Sequence, residues 1–323
     1  MAPAGGSDGR GGPDKSGASV RFGLRLARLL RGLGQAIKAM SLALAALAGL
    51  VAGVGYLWVR PRRLFLEEPI PSDISAEDVY FASRDGTRLH GLHLVGQPDF
   101  PVLLVCHGYF KSLAEPFQLA CDLNRLGYHL FLVDFRACGL SGGCYTTVGY
   151  REVSDVLGAV DYLRAAAGGD GPIGVVGISM GAVAAIMAAA DCPDIGAMVV
   201  DSAYADLESA MEYKMADIVR LPFLVALGWV SIRVGEWLSG GDVAAVRAID
   251  YVGRFAPRPL LFIYGELDDY LPADHPQRLF QAAGEPKELW LAPGSGHAMA
   301  RLDHRREYVE RVHSFFSRYL VRP

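Results

Sequence analysis

Ile173-Gly174-Val175-Val176-Gly177-Ile178-Ser179-Met180-Gly181 is an apolar, β-branched run that ends in a serine set between glycines, and the alanine-rich stretch Ala182 to Ala190 follows at once. The pattern reads as strand, sharp turn, helix, with Ser179 at the turn. So tight a turn strains the serine backbone and requires small residues two positions before and two after it. The hydroxyl is then lifted clear of the sheet, at the positive N-terminal end of a helix. In a chain with 38 glycines a G-x-S-x-G string alone carries little weight. Its place between a strand and a helix is what makes it informative.

A serine hydroxyl becomes a useful nucleophile only beside a base, and the base needs an acid to hold its tautomer. In folds of this kind the chain order is Ser, then Asp or Glu, then His. Downstream, Pro259 to Tyr264 reads as a buried strand running into the polar loop Gly265-Glu266-Leu267-Asp268-Asp269-Tyr270-Leu271-Pro272. Glu288 to Leu291 reads as a further strand ending in Pro293-Gly294-Ser295-Gly296-His297. Both loops fall at strand carboxyl ends, on the same sheet edge as Ser179. His297 is therefore the candidate base. Asp268 is the candidate acid, with Asp201, at the end of the apolar strand Ala197 to Val200, and Asp269 as the alternatives.

These residues resemble the α/β-hydrolase superfamily, and within it the monoacylglycerol-lipase and serine-aminopeptidase-like branch. The resemblance covers roughly Tyr80 to Leu320. It rests on Cys106-His107-Gly108-Tyr109 after the strand Val102 to Val105, on Asp134-Phe135-Arg136-Ala137-Cys138-Gly139-Leu140-Ser141, and on the serine, aspartate and histidine loops above. It implies a mostly parallel sheet with helices on both faces and a helical cap. It also implies an oxyanion hole from the backbone N–H groups of Tyr109 and Met180, and in the family's spacing the acid is Asp268. The second motif departs from the family's D-x-R-G-x-G-x-S at Ala137 and Cys138. Asp134 and Arg136 read as structural, pinning their loop by a charge-assisted hydrogen bond.

Alternating strand and helix signals agree with this fold: strands at about Val79–Ala82 and Arg88–Leu94 joined by the Asp85-Gly86 turn, then helical periods over Ala114–Leu126, Val148–Ala166, Met180–Ala190 and Arg305–Leu320. The rhythm breaks between Asp201 and Pro259, where no strand signal occurs. The expectation is a cap over about 206–254 within a hydrolase domain over 66–323.

The N-terminal part is of another kind. Residues 1–20 are rich in glycine, serine and proline and are expected to be disordered. Across 21–38, Phe22, Leu26, Leu29, Leu30, Leu33 and Ile37 recur at helical spacing with arginines between them, which suits a basic amphipathic segment on an anionic membrane face. Ala39 to Val59 carries no charge over about 21 residues, enough to span a bilayer core, and ends in Tyr56, Leu57 and Trp58. Residues 39–59 are read as an uncleaved transmembrane signal anchor. More basic residues precede than follow it, so the N-terminus is expected to be cytoplasmic and the hydrolase domain extracytoplasmic.

A formal net charge of −4 offers no basic field for nucleic acid once the basic N-terminal segment is set aside. The five cysteines include no C-x-x-C pair and no metal-ligand spacing with histidine, so neither a metal nor a cofactor is expected. Cys138 and Cys144 are spaced to bridge one loop if the domain is extracytoplasmic. The expected activity is hydrolysis of a carboxylic, lipid-like acyl ester. An acyl-protein thioesterase, a serine aminopeptidase-like peptidase and an inactive membrane-tethered binding protein are the other readings.

Overall fold

The first strand signal becomes β1 (Ser75–Ala82), and the chain returns as β2 (Arg88–Val95) through the expected turn. Ser83 N–H meets the Thr87 carbonyl at 2.8 Å, and Gly86 takes the left-handed φ of +87° that the turn requires. Six further strands follow: β3 (Val102–Cys106), β4 (His129–Asp134), β5 (Ile173–Ile178), β6 (Ile195–Asp201), β7 (Leu260–Gly265) and β8 (Lys287–Ala292). They form one sheet in the order β1-β2-β4-β3-β5-β6-β7-β8. The β1–β2 and β2–β4 pairs are antiparallel and all later pairs are parallel. This computed structural model describes residues 15–167, 171–218 and 222–320.

The parallel strands are apolar at nearly every position because both of their faces are covered. Leu104 and Cys106 of β3 pack with α3 (Glu152–Ala167) and α4 (Met180–Ala189), whereas Leu103 and Val105 pack with α2 (Phe117–Arg125) and α9 (Arg305–Tyr319). Two helices begin later than the sequence periodicity suggests. Pro116 precedes α2, and Val148 and Gly149, at φ of +52° and +106°, hold the chain out of helical geometry before α3. All five cysteines are free, and Cys138 is buried while Cys144 is exposed, so the two are not bridged.

One continuous helix, α1 (Lys15–Val59), replaces the three N-terminal segments read from the sequence. It takes in residues 15–20, which were expected to be disordered; residues 1–14 lie outside the described residues. Its stretch Arg21–Val59 is long and apolar enough to cross a membrane, and holds an 18-residue window of mean hydropathy 2.1. The chain divides into two units, Met1–Leu50 and Val51–Pro323. In the first, the described leucines of the helix are exposed, Leu29 and Leu42 at 72% each. The second unit begins earlier than the expected 66. The last turns of α1 are packed into it, with Val59 fully buried.

What they pack on is the insertion between β6 and β7. Its helices are α5 (Leu207–Ile218) and α6 (Pro222–Ser239), followed by two short 3₁₀ turns that end at Phe255. Glycines set the contact. A Cβ on Gly55 would stand 2.3 Å from the Ser231 carbonyl, and one on Gly235 would stand 2.7 Å from the Trp58 ring. The backbones therefore touch. The remaining helices, α7 (His275–Ala282) and the single turn α8 (Ala300–Asp303), flank the loops that carry Asp268 and His297.

Candidate active site

Ser179 sits at the junction of β5 and α4 with φ +51° and ψ −115°, a conformation that costs on the order of 1–3 kcal/mol for a residue with a side chain. The neighbouring glycines make the turn possible. A Cβ on Gly177 would meet the Ala182 backbone at 2.5 Å, and one on Gly181 would meet the Cys106 carbonyl at the same distance. Two main-chain bonds secure the strained residue: Ser179 N–H to the Asp201 carbonyl at 2.7 Å, and Val183 N–H to the Ser179 carbonyl at 3.1 Å.

The serine hydroxyl lies 2.9 Å from His297 Nε2, and His297 Nδ1 lies 2.8 Å from Asp268 Oδ2. The other oxygen of Asp268 accepts the N–H groups of Tyr270 at 3.0 Å and Leu271 at 3.4 Å, so the carboxylate is fixed by its own loop. Asp269 is exposed and does not bond the histidine. The Tyr270 ring stacks on the His297 imidazole at 4.7 Å, and Lys214 of α5 lies 5.0 Å over that ring, which links the cap to the base.

Asp201 has another task. Its oxygens accept the hydroxyls of Ser202 at 2.9 Å and Tyr308 at 3.1 Å, and Ser202 Oγ accepts the Ala298 N–H at 2.9 Å. It thus ties the loop that follows His297 to the end of β6. Burial pushes its pKa up to about 6 against those two hydroxyls, the charge of Arg301 and that of His297.

Two N–H groups in the segments next to Ser179 have no acceptor among the described residues, and a Cβ on Gly108 would lie 3.7 Å from the Ser179 Cβ. That of Met180 is the first in α4 and has no intrahelical partner. That of Tyr109 makes no hydrogen bond among the described residues. The Tyr109 loop is braced from several sides. His107 Nε2 accepts the Phe135 N–H at 3.1 Å, and its Nδ1 donates to the Gly108 carbonyl at 2.8 Å. Burial holds this histidine below its usual pKa, consistent with a neutral ring in that tautomer. Glu115 accepts the Gly108 N–H at 2.7 Å and pairs with Arg301 at 3.1 Å, and the Tyr109 hydroxyl donates to the Trp58 carbonyl.

Asp134 and Arg136 do hold their loops, but with different partners. Asp134 takes His90 Nδ1 and the N–H groups of Leu113 and Leu140. Arg136 forms a bidentate pair with Asp155 and reaches Asp85 at 2.7 Å. The supports Trp58, Glu115, Arg301, Tyr270 and Lys214 carry no motif. Of these, Tyr270 lies in the loop quoted from the sequence, two residues after Asp268.

Residues 85–239 match the model of a family described as X-Pro dipeptidyl-peptidase (S15 family). The uncharacterized protein YqkD of Bacillus subtilis is 29% identical over 240 residues, 71% of this chain and 75% of that protein. The uncharacterized protein YfhR of Escherichia coli is 26% identical over 254 residues, 76% of this chain and 82% of that one. Among solved structures, the Pyrococcus furiosus esterase Pf2001 is similar at a TM-score of 0.68 and 28% identity, covering 82% of this chain and 99% of its own. The esterase domain of a Rhodothermus marinus protein shares the fold at a TM-score of 0.55 and 21% identity, over 76% and 99% of the two chains. This chain has the α/β-hydrolase fold, and these similarities support a serine hydrolase.

Proposed function

We propose that the protein is a membrane-anchored serine hydrolase acting on lipid-like acyl esters. The observation that carries the reading is the unbroken hydrogen-bond chain Ser179–His297–Asp268 on a strained strand-to-helix turn. His297 takes the Ser179 proton as Oγ attacks the acyl carbonyl, and Asp268 orients the imidazole and balances its charge. The N–H groups of Tyr109 and Met180 stabilise the oxyanion. The protonated His297 then gives its proton to the leaving alkoxide, leaving an acyl-Ser179 ester. Water, deprotonated by the same histidine, releases the acid and restores the serine. No cofactor enters this sequence.

Three features support an apolar substrate at a membrane. The first is α1, long and apolar enough to span one. The second is the close packing of its last turns on α6. The third is the exposure of two apolar side chains on α6, Val230 at 51% and Trp237 at 82%. We place the N-terminus on the cytoplasmic side, from the excess of arginine before the apolar stretch. The peptidase reading is favoured by one observation, the S15 family match over 85–239.

The experiment is to label the detergent-solubilised full-length chain with a fluorophosphonate probe. Turnover is then compared across p-nitrophenyl esters of rising acyl length and an X-Pro p-nitroanilide. Ser179-dependent labelling with the longer esters preferred is the expected result. Preferred cleavage of the anilide would replace the ester reading by the peptidase one, and no labelling would sink both.

A further inference from the structure

A cavity of about 710 Å³ lies beside the oxyanion loop, lined by the chain just after α1, by the segment 111–119 and by the turn at Arg301. Five cationic side chains line it: Arg62, Arg63, Lys111, Arg301 and Arg305. Three carboxylates, Glu67, Glu68 and Glu115, oppose them and leave the wall net positive by two charges. The positive charges are unevenly compensated. Arg305 is paired with Asp122, and Arg301 with Glu115. Arg63 spends its guanidinium on the carbonyls of Gly139, Ser141 and Gly143, which anchor it without neutralising it. Arg62 and Lys111 form no ion pair among the described residues. The decisive feature is Arg301. Its side chain is only 9% exposed, and its Nε–H is buried with no acceptor. That Nε is closed even to a water molecule, so the atom the cavity can engage is Nη1: it makes no hydrogen bond among the described residues and is not sealed, since Nη2 is the atom that holds Glu115. In a cationic hollow an anionic oxygen is the partner such a donor takes.

We propose that this cavity binds a phosphate group, with the Nη1 of Arg301 as its innermost donor and Arg62, Arg63 and Lys111 around it. Guanidinium forks match phosphate oxygens in geometry as well as charge. Two sources carry that chemistry, an anionic phospholipid head group and a soluble phosphate. The lipid source rests on the reading above that α1 spans a membrane, since Arg62 then follows the end of the span at Val59 by three residues. Glu115 links the pocket to the catalytic side, since one of its oxygens holds Arg301 and the other the Gly108 N–H.

The test is a titration of the full-length chain in a neutral detergent at constant ionic strength. Inorganic phosphate, dihexanoyl phosphatidic acid and dihexanoyl phosphatidylcholine are the probes, and binding is read by calorimetry. Saturable binding of phosphate or phosphatidic acid is expected, weakened at least about tenfold in R62A/K111A, which removes two charge-assisted contacts. The control R306A/R311A removes the same charge from the exposed face of α9, and melting curves confirm that both variants fold. Binding of phosphatidic acid alone assigns a lipid head group, and equal binding of inorganic phosphate assigns a free phosphate. No saturable binding of either anion, equal weakening in the control, or phosphatidylcholine binding as tight as phosphatidic acid would overturn the site. Binding is read without Ser179 chemistry, so failure here leaves the hydrolase reading standing.

Discussion

Tyr109 donates its hydroxyl to the backbone carbonyl of Trp58, so the residue proposed to supply an oxyanion donor is held by the last turn of α1. Thr146 N–H adds a bond to the Val59 carbonyl at 2.8 Å, and the Tyr56 and Tyr145 rings meet edge to face. The end of the apolar helix is therefore part of the hydrolase body and not a detachable tether.

This alters what a truncation does. A chain starting near Glu67 loses Trp58 and Val59 and exposes the Gly235 face of α6. We expect lower kcat on short, water-soluble esters as well as on lipid substrate, together with a lower melting temperature. Tyr109→Phe should lower kcat about two- to tenfold with little change in KM, the worth of one net hydrogen bond. Equal kcat for the full-length and truncated chains on a soluble ester would refute the supporting role.

The triad makes a sharper set of expectations. Ser179→Ala should abolish probe labelling and cut turnover at least about a thousandfold with the fold intact. Asp268→Asn should cost about three to four orders of magnitude in kcat, through loss of imidazole orientation. Asp201→Asn should be far milder in kcat, because its oxygens bond Ser202 and Tyr308 and not the histidine. A dead Asp201→Asn beside an active Asp268→Asn would move the acid to β6.

Why Ser179 and His297 were legible and their supports were not has a physical reason. A turn that needs Gly177 and Gly181 leaves a local mark, and so does a histidine loop after the last strand. The pairs Glu115–Arg301 and Tyr109–Trp58 join segments far apart in the chain, and no period or spacing encodes them. Choosing Asp268 over Asp201 needed the family's spacing, since both follow apolar strands. The boundary at Val51 was hidden because an alanine- and glycine-rich helix suits lipid contact and close helix packing equally. The start of α3 was misread because the positive φ of Val148 has no signature in a β-branched residue.

Stability should depend on pH through His90. Burial disfavours its charge, but Asp134 and Asp78, each 2.8 Å from a ring nitrogen, outweigh that and hold its pKa above the ordinary value. The folded state therefore binds the proton more tightly than the unfolded chain. The stabilisation is complete below the unfolded pKa, about 6.5, and is lost as pH rises through the folded value. His93, His107 and His275 are lowered by burial and act in the opposite sense, so the contribution is read as a difference. Asp78, 68% exposed, can be changed without stranding a buried charge. Asp78→Asn should lower the melting temperature at pH 6 more than at pH 9. An equal effect at both pH values would remove His90 as the source.

The last prediction concerns what meets the cap. Trp229 packs against the core, so it does not isolate a surface effect. Trp237 of α6 does, being 82% exposed on the helix that lies along Val51–Val59. If α6 faces lipid, Trp237→Glu places a charge there at little cost to the fold, and a soluble ester should be turned over as before. Each buried methylene of an acyl chain contributes about 0.8 kcal/mol, so wild-type kcat/KM should climb with chain length. Against vesicle-borne substrate the variant should lose several-fold in kcat/KM, measured beside Trp237→Phe, which keeps the apolar surface. Equal rates for Trp237→Glu and Trp237→Phe on vesicles would mean that α6 does not meet the bilayer. A wild-type preference for acetyl over longer esters would reduce the reading to a tethered esterase of small substrates.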